Sequence, residues 1–153
     1  MREIERVSVV EDVTLISLFD VPTEIGVIAD VFEQIAEKGI DVDMISQSPP
    51  NSRHSSLSFT VSDEAFGDIL QIAAKLRAVH RDITFHVSNG NCKVSVCGSR
   101  MAGTPGVAAK VFGAVSAAGA EIRMITTSES EISLLVVQSD LDTVRKGIDA
   151  LIQ

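Results

Sequence analysis

The residues best suited to hold a small molecule sit in a turn and around the helix that follows it. Val21-Pro22-Thr23-Glu24-Ile25-Gly26 reads as a turn, and an apolar-periodic segment begins directly after it. A helix N-terminus presents backbone N–H groups with no intrahelical acceptor and the positive end of the helix dipole, a combination that favours an anion such as a carboxylate. Gly26 has no Cβ to keep a ligand from that backbone, and Thr23 adds a hydroxyl; the alternative is that Gly26 only permits a tight turn. Other chemistries find less support. His54, His80 and His86 fall in a loop, at a helix end and on a strand, and neither Cys92 nor Cys97 has a CxxC partner, so no metal site is expected. Ser55-Ser56 lacks the companion His and Asp that would activate a nucleophile, so hydrolysis is not expected. No catalytic residue, metal or cofactor is assigned.

The elements that must position these residues come in two copies. Gly26-Val27-Ile28-Ala29-Asp30-Val31-Phe32 returns 80 residues later as Gly106-Val107-Ala108-Ala109-Lys110-Val111-Phe112, and Gly39 returns as Gly119. Val42-Asp43-Met44-Ile45-Ser46-Gln47-Ser48 returns as Ile122-Arg123-Met124-Ile125-Thr126-Thr127-Ser128 at the same offset. In the first copy, residues 13–19 read as a strand, and Ile28, Val31, Phe32 and Ile35 form the apolar stripe of a helix that Gly39 stops. Residues 40–48 and 57–61 read as strands separated by Pro49-Pro50-Asn51-Ser52. Asp63 is the expected cap of a second helix striped by Phe66, Ile69, Leu70, Ala73 and Leu76, and residues 83–87 alternate as a fourth strand. The order is βαββαβ.

The second copy gives a strand at 93–98, a helix at 107–118, strands at 120–127 and 132–137, and a helix at 141–152. Its fourth strand is missing, while residues 4–10 form an unassigned β-like segment ahead of the first copy. An unfilled sheet edge is an association hazard, and this segment has the length and alternation to fill it. The expected domains are therefore 12–88, and 92–153 together with 4–10.

Composition excludes several functions. The chain has 153 residues, 45% of them hydrophobic, enough to bury a core. Apolar runs such as 134–137 are strand-sized and far short of the roughly 20 residues of a membrane span, so a soluble protein is expected. Met1-Arg2-Glu3-Ile4-Glu5-Arg6 is charged from the start and shows no secretory pattern, which points to the cytoplasm. A net charge of −8 argues against nucleic acid, whose phosphates demand a basic surface. The βαββαβ order is shared with RNA-recognition motifs, but those stack bases on strand aromatics where these strands carry Met44, Ile45, Met124 and Ile125. Cys92 and Cys97, five apart on one strand, point to opposite faces, so no disulfide between them is expected.

In this order the segments resemble the paired ACT modules at the regulatory end of aspartokinases. The resemblance is carried by Leu15-Ile16-Ser17-Leu18, by Ile40-Asp41-Val42-Asp43-Met44-Ile45-Ser46-Gln47-Ser48 and by Leu57-Ser58-Phe59-Thr60-Val61 in the first copy. In the second copy, Lys93-Val94-Ser95-Val96-Cys97-Gly98, Thr104-Pro105-Gly106-Val107-Ala108-Ala109-Lys110-Val111-Phe112 and Met124-Ile125-Thr126-Thr127-Ser128-Glu129 carry it. It implies an α+β fold of two ferredoxin-like modules, each an antiparallel sheet with helices on one face, the N-terminal strand completing the second. It implies an amino-acid effector, lysine, threonine or similar, bound where the modules meet, a homodimer, and an aspartokinase catalytic subunit as the regulated partner. The rival readings are a free-standing ACT protein with another target and an oligomerisation module that binds no ligand. The glycine-rich Lys-Phe-Gly-Gly motif of the kinase region is not in this sequence, so catalysis is not expected.

Carried over to this sequence, the implied effector residues are Thr23, Ile25, Gly26, Val27 and Ile28 of the first turn, with Asp43, Gln47 and Ser48 of the strand that follows. In the second copy they are Gly106 and Val107, Glu121, Ile122 and Arg123, and the strand-end trio Thr127, Ser128 and Glu129. Asp43 would meet an ammonium, and the hydroxyls would line the pocket; solvated strand residues and ordinary turn chemistry are the alternatives. The family's Asp-x-Pro-Gly turn appears here as Thr23-Glu24-Ile25-Gly26, whereas the second copy keeps Pro105-Gly106 and carries Arg123 where the first has Asp43. The two copies are not chemically equivalent.

Overall fold

A computed structural model describes residues 3–51 and 53–152, so expectations placed on Met1, Arg2, Ser52 and Gln153 lie outside the described residues. The chain forms two compact units, residues 12–89 and residues 1–11 with 90–153.

In the unit of 12–89, β1 (Arg6–Pro22) leads to α1 (Ile25–Glu37), then β2 (Ile45–Gln47), β3 (His54–Ser62), α2 (Phe66–Val79) and the first residues of β4 (Thr84–Cys97). The strand order is β2-β3-β1-β4, with β1 and β2 both antiparallel to β3. One face of α1 buries Val27, Val31 and Ile35, and α2 buries Ile69, Ile72 and Leu76, all in one cluster with Ile16, Leu18, Leu57, Phe59, Val61 and Ile83. Full burial of each such side chain contributes about 1.5–3 kcal/mol, so the three- and four-residue spacing of the helix stripes holds the helices to the sheet.

The unit of 1–11 and 90–153 repeats the plan with α3 (Val107–Ala117), β5 (Met124–Thr127), β6 (Glu131–Val137) and α4 (Leu141–Asp149). Its strands run β5-β6-β4, and the N-terminal part of β1 lies beside β4. The Glu5 amide donates to the Cys97 carbonyl at 2.9 Å, and Ile4, 4% exposed, joins the core cluster of Val94, Val96, Val111, Leu134 and Val144, with Val7 and Val9 packed against it. Each unit is thus a four-stranded antiparallel sheet with two helices on one face, an α+β ferredoxin-like arrangement.

Several boundaries differ from the sequence reading. Residues 6–10 and 13–19 belong to one long strand, as do 84–87 and 93–97, with 4, 5, 83 and 98 outside the strands, because Asp12 (φ +56) and Gly90 (φ +70) take left-handed backbone without ending the strand. The expected strand 40–48 shrinks to β2, and 120–127 to β5: ahead of β2 the backbone bonds of Asp43 and Met44 go to Thr60, and ahead of β5 the Arg123 amide bonds to Leu135. The stripe of α2 runs through Ile72 and not Leu70, which is 45% exposed, and that of α1 runs through Val27, Val31 and Ile35, with Ile28 and Phe32 only partly buried. The side-chain cap falls on Ser62, which accepts from the Glu64 amide and opens the one-turn 3-10 helix Asp63–Ala65, while Asp63 accepts from the Thr14 hydroxyl at 2.6 Å. The last helix stops at Asp149, short of the expected 152. Cys92, fully buried, donates to Gln138 Oε1 at 2.8 Å, and Cys97 is half-buried. No helix among the described residues is long and apolar enough to cross a membrane.

Candidate functional site

In the unit of 1–11 and 90–153, two loops converge at one end of the sheet. The first, 98–106, is built from successive tight turns: Met101 donates from its amide to the Gly98 carbonyl, Thr104 from its amide to Met101, and the Thr104 hydroxyl to Arg100 at 2.6 Å. Gly103 (φ +74) and Gly106 (φ +91) supply the left-handed conformations those turns require, and Gly106 is the residue from which α3 starts. The second loop leaves β5 at Thr127 and returns into β6 through Ser128, whose amide donates to the Glu131 carbonyl at 2.8 Å.

Between them lies a cleft of about 270 Å³. It is lined by Met101, Thr104, Gly106, Val107 and Ala108 from the first loop and the start of α3, and by Thr127, Ser128, Glu129 and Ile132 from the second. No side chain caps α3 and its first turn holds no acidic residue. The positive end of that helix therefore adjoins the hydroxyls of Thr127 and Ser128, with that of Thr104 already donated to Arg100, and the one carboxylate of Glu129, which is the set of partners a zwitterion asks for.

Five of the expected residues, Gly106, Val107, Thr127, Ser128 and Glu129, are brought together there. Glu121, Ile122 and Arg123 are not among the lining residues; they precede β5, where Ile122 packs on the core and the Arg123 amide donates to Leu135 at 2.8 Å. Sequence reasoning missed Met101, Thr104, Ala108 and Ile132 as lining residues. Ala108 lay within the repeated segment and Thr104 within the motif that carries the resemblance, but Met101 and Ile132 reach the cleft only through loop and hairpin geometry.

The corresponding place in the unit of 12–89 is arranged differently. Here α1 starts at Ile25, two positions earlier in the repeat than α3, so Gly26 is an ordinary helical residue and the Val27 amide donates to Glu24 at 3.0 Å. A Cβ on Gly26 would meet nothing within 4 Å, so neither a tight turn nor crowding demands glycine there. The Thr23 amide donates to Arg53 at 3.1 Å, its side chain exposed with those of Glu24 and Ile25, while Val27 is buried and Ile28 half-buried. Asp43 is exposed and its amide donates to Thr60, and Gln47 Nε2 donates to Ser55 Oγ at 3.3 Å.

Ser48 accepts from the Ser56 amide at 2.9 Å and lines another cleft, of about 400 Å³, with Phe19, Asp20, Pro49, Asn51, His54, Ser55 and Ser56. None of the turn residues 23–28 is on its lining. His54 and His86 are exposed and His80 half-buried, with the His86 ring edge-on to Phe19; among the described residues no group of three His, Cys, Asp or Glu is placed to hold a metal ion.

Two family profiles, each described as an ACT domain, match residues 14–81 and 94–150. The aspartokinase of Geobacillus stearothermophilus is 35% identical over 126 residues, which are 82% of this chain and 30% of that protein. This chain therefore spans about a third of the length of the curated relatives it matches. The regulatory subunit of aspartate kinase from Thermus thermophilus, solved ligand-free, superposes with a TM-score of 0.87 at 32% identity, covering 99% of this chain and all of that one. E. coli aspartokinase III, solved in complex with lysine and aspartate, shares the fold with a TM-score of 0.75 at 24% identity, over 99% of this chain and 34% of that one. With one ACT profile on each unit and a regulatory subunit matched end to end, the chain belongs to the family of tandem ACT-domain regulatory regions of aspartokinases.

Proposed function

We propose that this chain is an amino-acid-sensing regulatory region without catalytic activity of its own, acting on an aspartokinase catalytic subunit in the cytoplasm. The observation that carries the reading is the cleft between α3 and the β5–β6 hairpin, where an uncapped helix start adjoins Thr127, Ser128 and Glu129. An α-amino acid fits this set of partners: its carboxylate takes the helix N-terminus, an interaction of about 0.3–1 kcal/mol when exposed and up to ~2 kcal/mol when partly buried, and Glu129 takes the ammonium. The lysine held by E. coli aspartokinase III, a protein of the same fold, is in keeping with that class of ligand. In the first copy, Thr23, Asp43 and Gln47 stand as secondary contacts, because the Val27 amide there is already engaged by Glu24.

A thermal-shift screen of the twenty amino acids tests the reading. A ligand at 100 times its Kd stabilises the folded chain by about 2.7 kcal/mol, an upward shift of several degrees. No shift with any of them, at millimolar concentration, contradicts it. Association as a homodimer is part of the same proposal. Ile45 and Ile125, 51% and 42% exposed, sit on β2 and β5, the outer strands of their units, where unpaired edges invite a second copy. Light scattering at micromolar concentration distinguishes a dimer from a monomer.

A further inference from the structure

The residues leading into β1 do more than bring the strand to the sheet edge, because the side chains of Glu3 and Glu5 grip the loop that lines the cleft and the helix behind it. Glu5 Oε1 accepts from the Ser99 amide at 3.2 Å and from the Ser99 hydroxyl at 2.5 Å. Glu3 pairs with Lys110 of α3 at 3.7 Å. Gly98 gives the strand room: a Cβ there would lie 1.8 Å from the Glu3 carbonyl oxygen, closer than any side chain tolerates. Its φ is not in the left-handed region, so the requirement for glycine is space alone.

Ser99 is the first residue after that contact, and the turns beyond it lead without a break to the cleft. Met101 bonds back to Gly98, Thr104 to Met101 and Arg100, and Met101 and Thr104 both line the cavity. At the other end of the loop, Lys110 stands in the first turns of α3, next to the lining residues Val107 and Ala108.

We infer that Glu5 is a positioning residue for the ligand cleft, fixing Ser99 and through it the Met101 and Thr104 wall, so that the placement of the N-terminal strand and the shape of the cleft are coupled. The inference rests on the reading of the cleft as an effector site, but its geometry is testable without a ligand. The Ser99 donors also draw the Glu5 carboxyl below the ordinary carboxylate range, with smaller help from Arg100 and Arg6, which keeps it charged and accepting at neutral pH. The Glu3–Lys110 pair is exposed and salt-screened, and serves as a weaker second hold. Coupling is reciprocal: a ligand that orders the loop also secures the strand.

The test uses the full chain with labelled methionine methyl groups, read by NMR together with amide exchange. Met101 lines the cleft, and Met44 and Met124 are buried elsewhere as internal controls. In Glu5→Ala, without ligand, the Met101 signal is expected to move and the Ser99 and Met101 amides to exchange about 3- to 10-fold faster, with Met44, Met124 and the melting temperature little changed. Glu5→Gln keeps an acceptor and is expected to restore the Met101 position, a rescue that general loosening would not give. Ser99→Ala, which retains the amide donor, is expected to fall between them. An unmoved Met101 signal in Glu5→Ala overturns the inference, and so does movement of all three methionines together. Calorimetry with lysine and with threonine then asks a separate question: absence of binding by the unaltered chain contradicts the effector reading, while the methionine signals still decide the positioning role.

Discussion

The two units were cut from one pattern and differ most where a ligand would sit. Fourteen positions separate Ile45 from its partner Phe59, but nine separate Ile125 from Leu134, so the hairpin of the first unit is five residues longer. One helix begins at Ile25-Gly26, the other after Pro105 and a left-handed Gly106. The second unit thereby leaves the start of α3 facing a short hairpin with Thr127, Ser128 and Glu129, whereas the first unit turns its equivalent amide to Glu24 and opens a different cleft around Ser48 and His54. Duplicated sequence preserves a core readily, because buried positions tolerate few changes in volume. Turns have no such constraint, and Thr23-Glu24-Ile25 in place of Gly103-Thr104-Pro105, ahead of a shared glycine, goes with a helix that starts two positions earlier.

The comparison breaks most visibly at the glycines. Gly98→Ala forces a clash with the Glu3 carbonyl and is expected to cost about 1–3 kcal/mol, seen as a drop of several degrees in Tm. Gly106→Ala places a side chain at φ +91 and is expected to cost about 1–2 kcal/mol. Gly26→Ala, at the matching position of the other unit, should instead raise stability by about 0.5–1 kcal/mol, since that glycine is helical and unobstructed. Urea unfolding of the two variants side by side decides this: a loss at Gly26 as large as that at Gly106 would mean the two turns are alike after all.

Smaller effects sharpen the same contrast. Ser62 caps the turn into α2, while Val137, at the matching place before α4, has no side chain able to do so. Ser62→Ala should cost about 0.5–1 kcal/mol in chemical denaturation, and an unchanged midpoint would remove the cap from the account. Acid provides the last of these tests. Glu131 is held below the ordinary carboxylate range chiefly by the Ser133 hydroxyl, partly offset by burial and aided by Ser95 and Lys93. A carboxylate whose folded pKa is depressed stabilises the fold above its unfolded value, and that contribution fades as pH falls through the lowered one. Glu131→Gln should accordingly flatten the fall in stability below pH 4, a modest change measurable by melting at a series of pH values.

Much of this was legible in the residues. The 80-residue offset exposed the duplication, and apolar stripes gave the two helices of the first copy, because burial writes periodicity into sequence. Strand limits were harder to read. Residues 40–44 look β-forming, but the buried Thr60 hydroxyl accepts from the Met44 amide at 3.0 Å, and the regular ladder starts only at Ile45. In the other unit Leu135 has no hydroxyl to offer, and Met124 is already in register with it. Pattern alone does not show which side chain will intercept a backbone bond. Of the candidate site, Gly106, Val107 and the trio 127–129 were found through the resemblance, whereas Met101 and Ile132 depend on how loop 98–106 folds back. The effect of replacing Pro105-Gly106 by Ile25-Gly26 was visible as a difference in letters, but its result, a helix that starts two positions early, is a matter of backbone geometry.

The most direct test of the account is calorimetric titration of lysine and of threonine into the full chain, its Glu129→Gln variant and its Asp43→Asn variant. The cleft beside α3 predicts saturable binding of at least one of them by the unaltered chain, a weakening of about tenfold or more in Glu129→Gln with the melting temperature preserved, and a smaller change in Asp43→Asn. Binding that survives Glu129→Gln intact, or that is lost in Asp43→Asn alone, would contradict it.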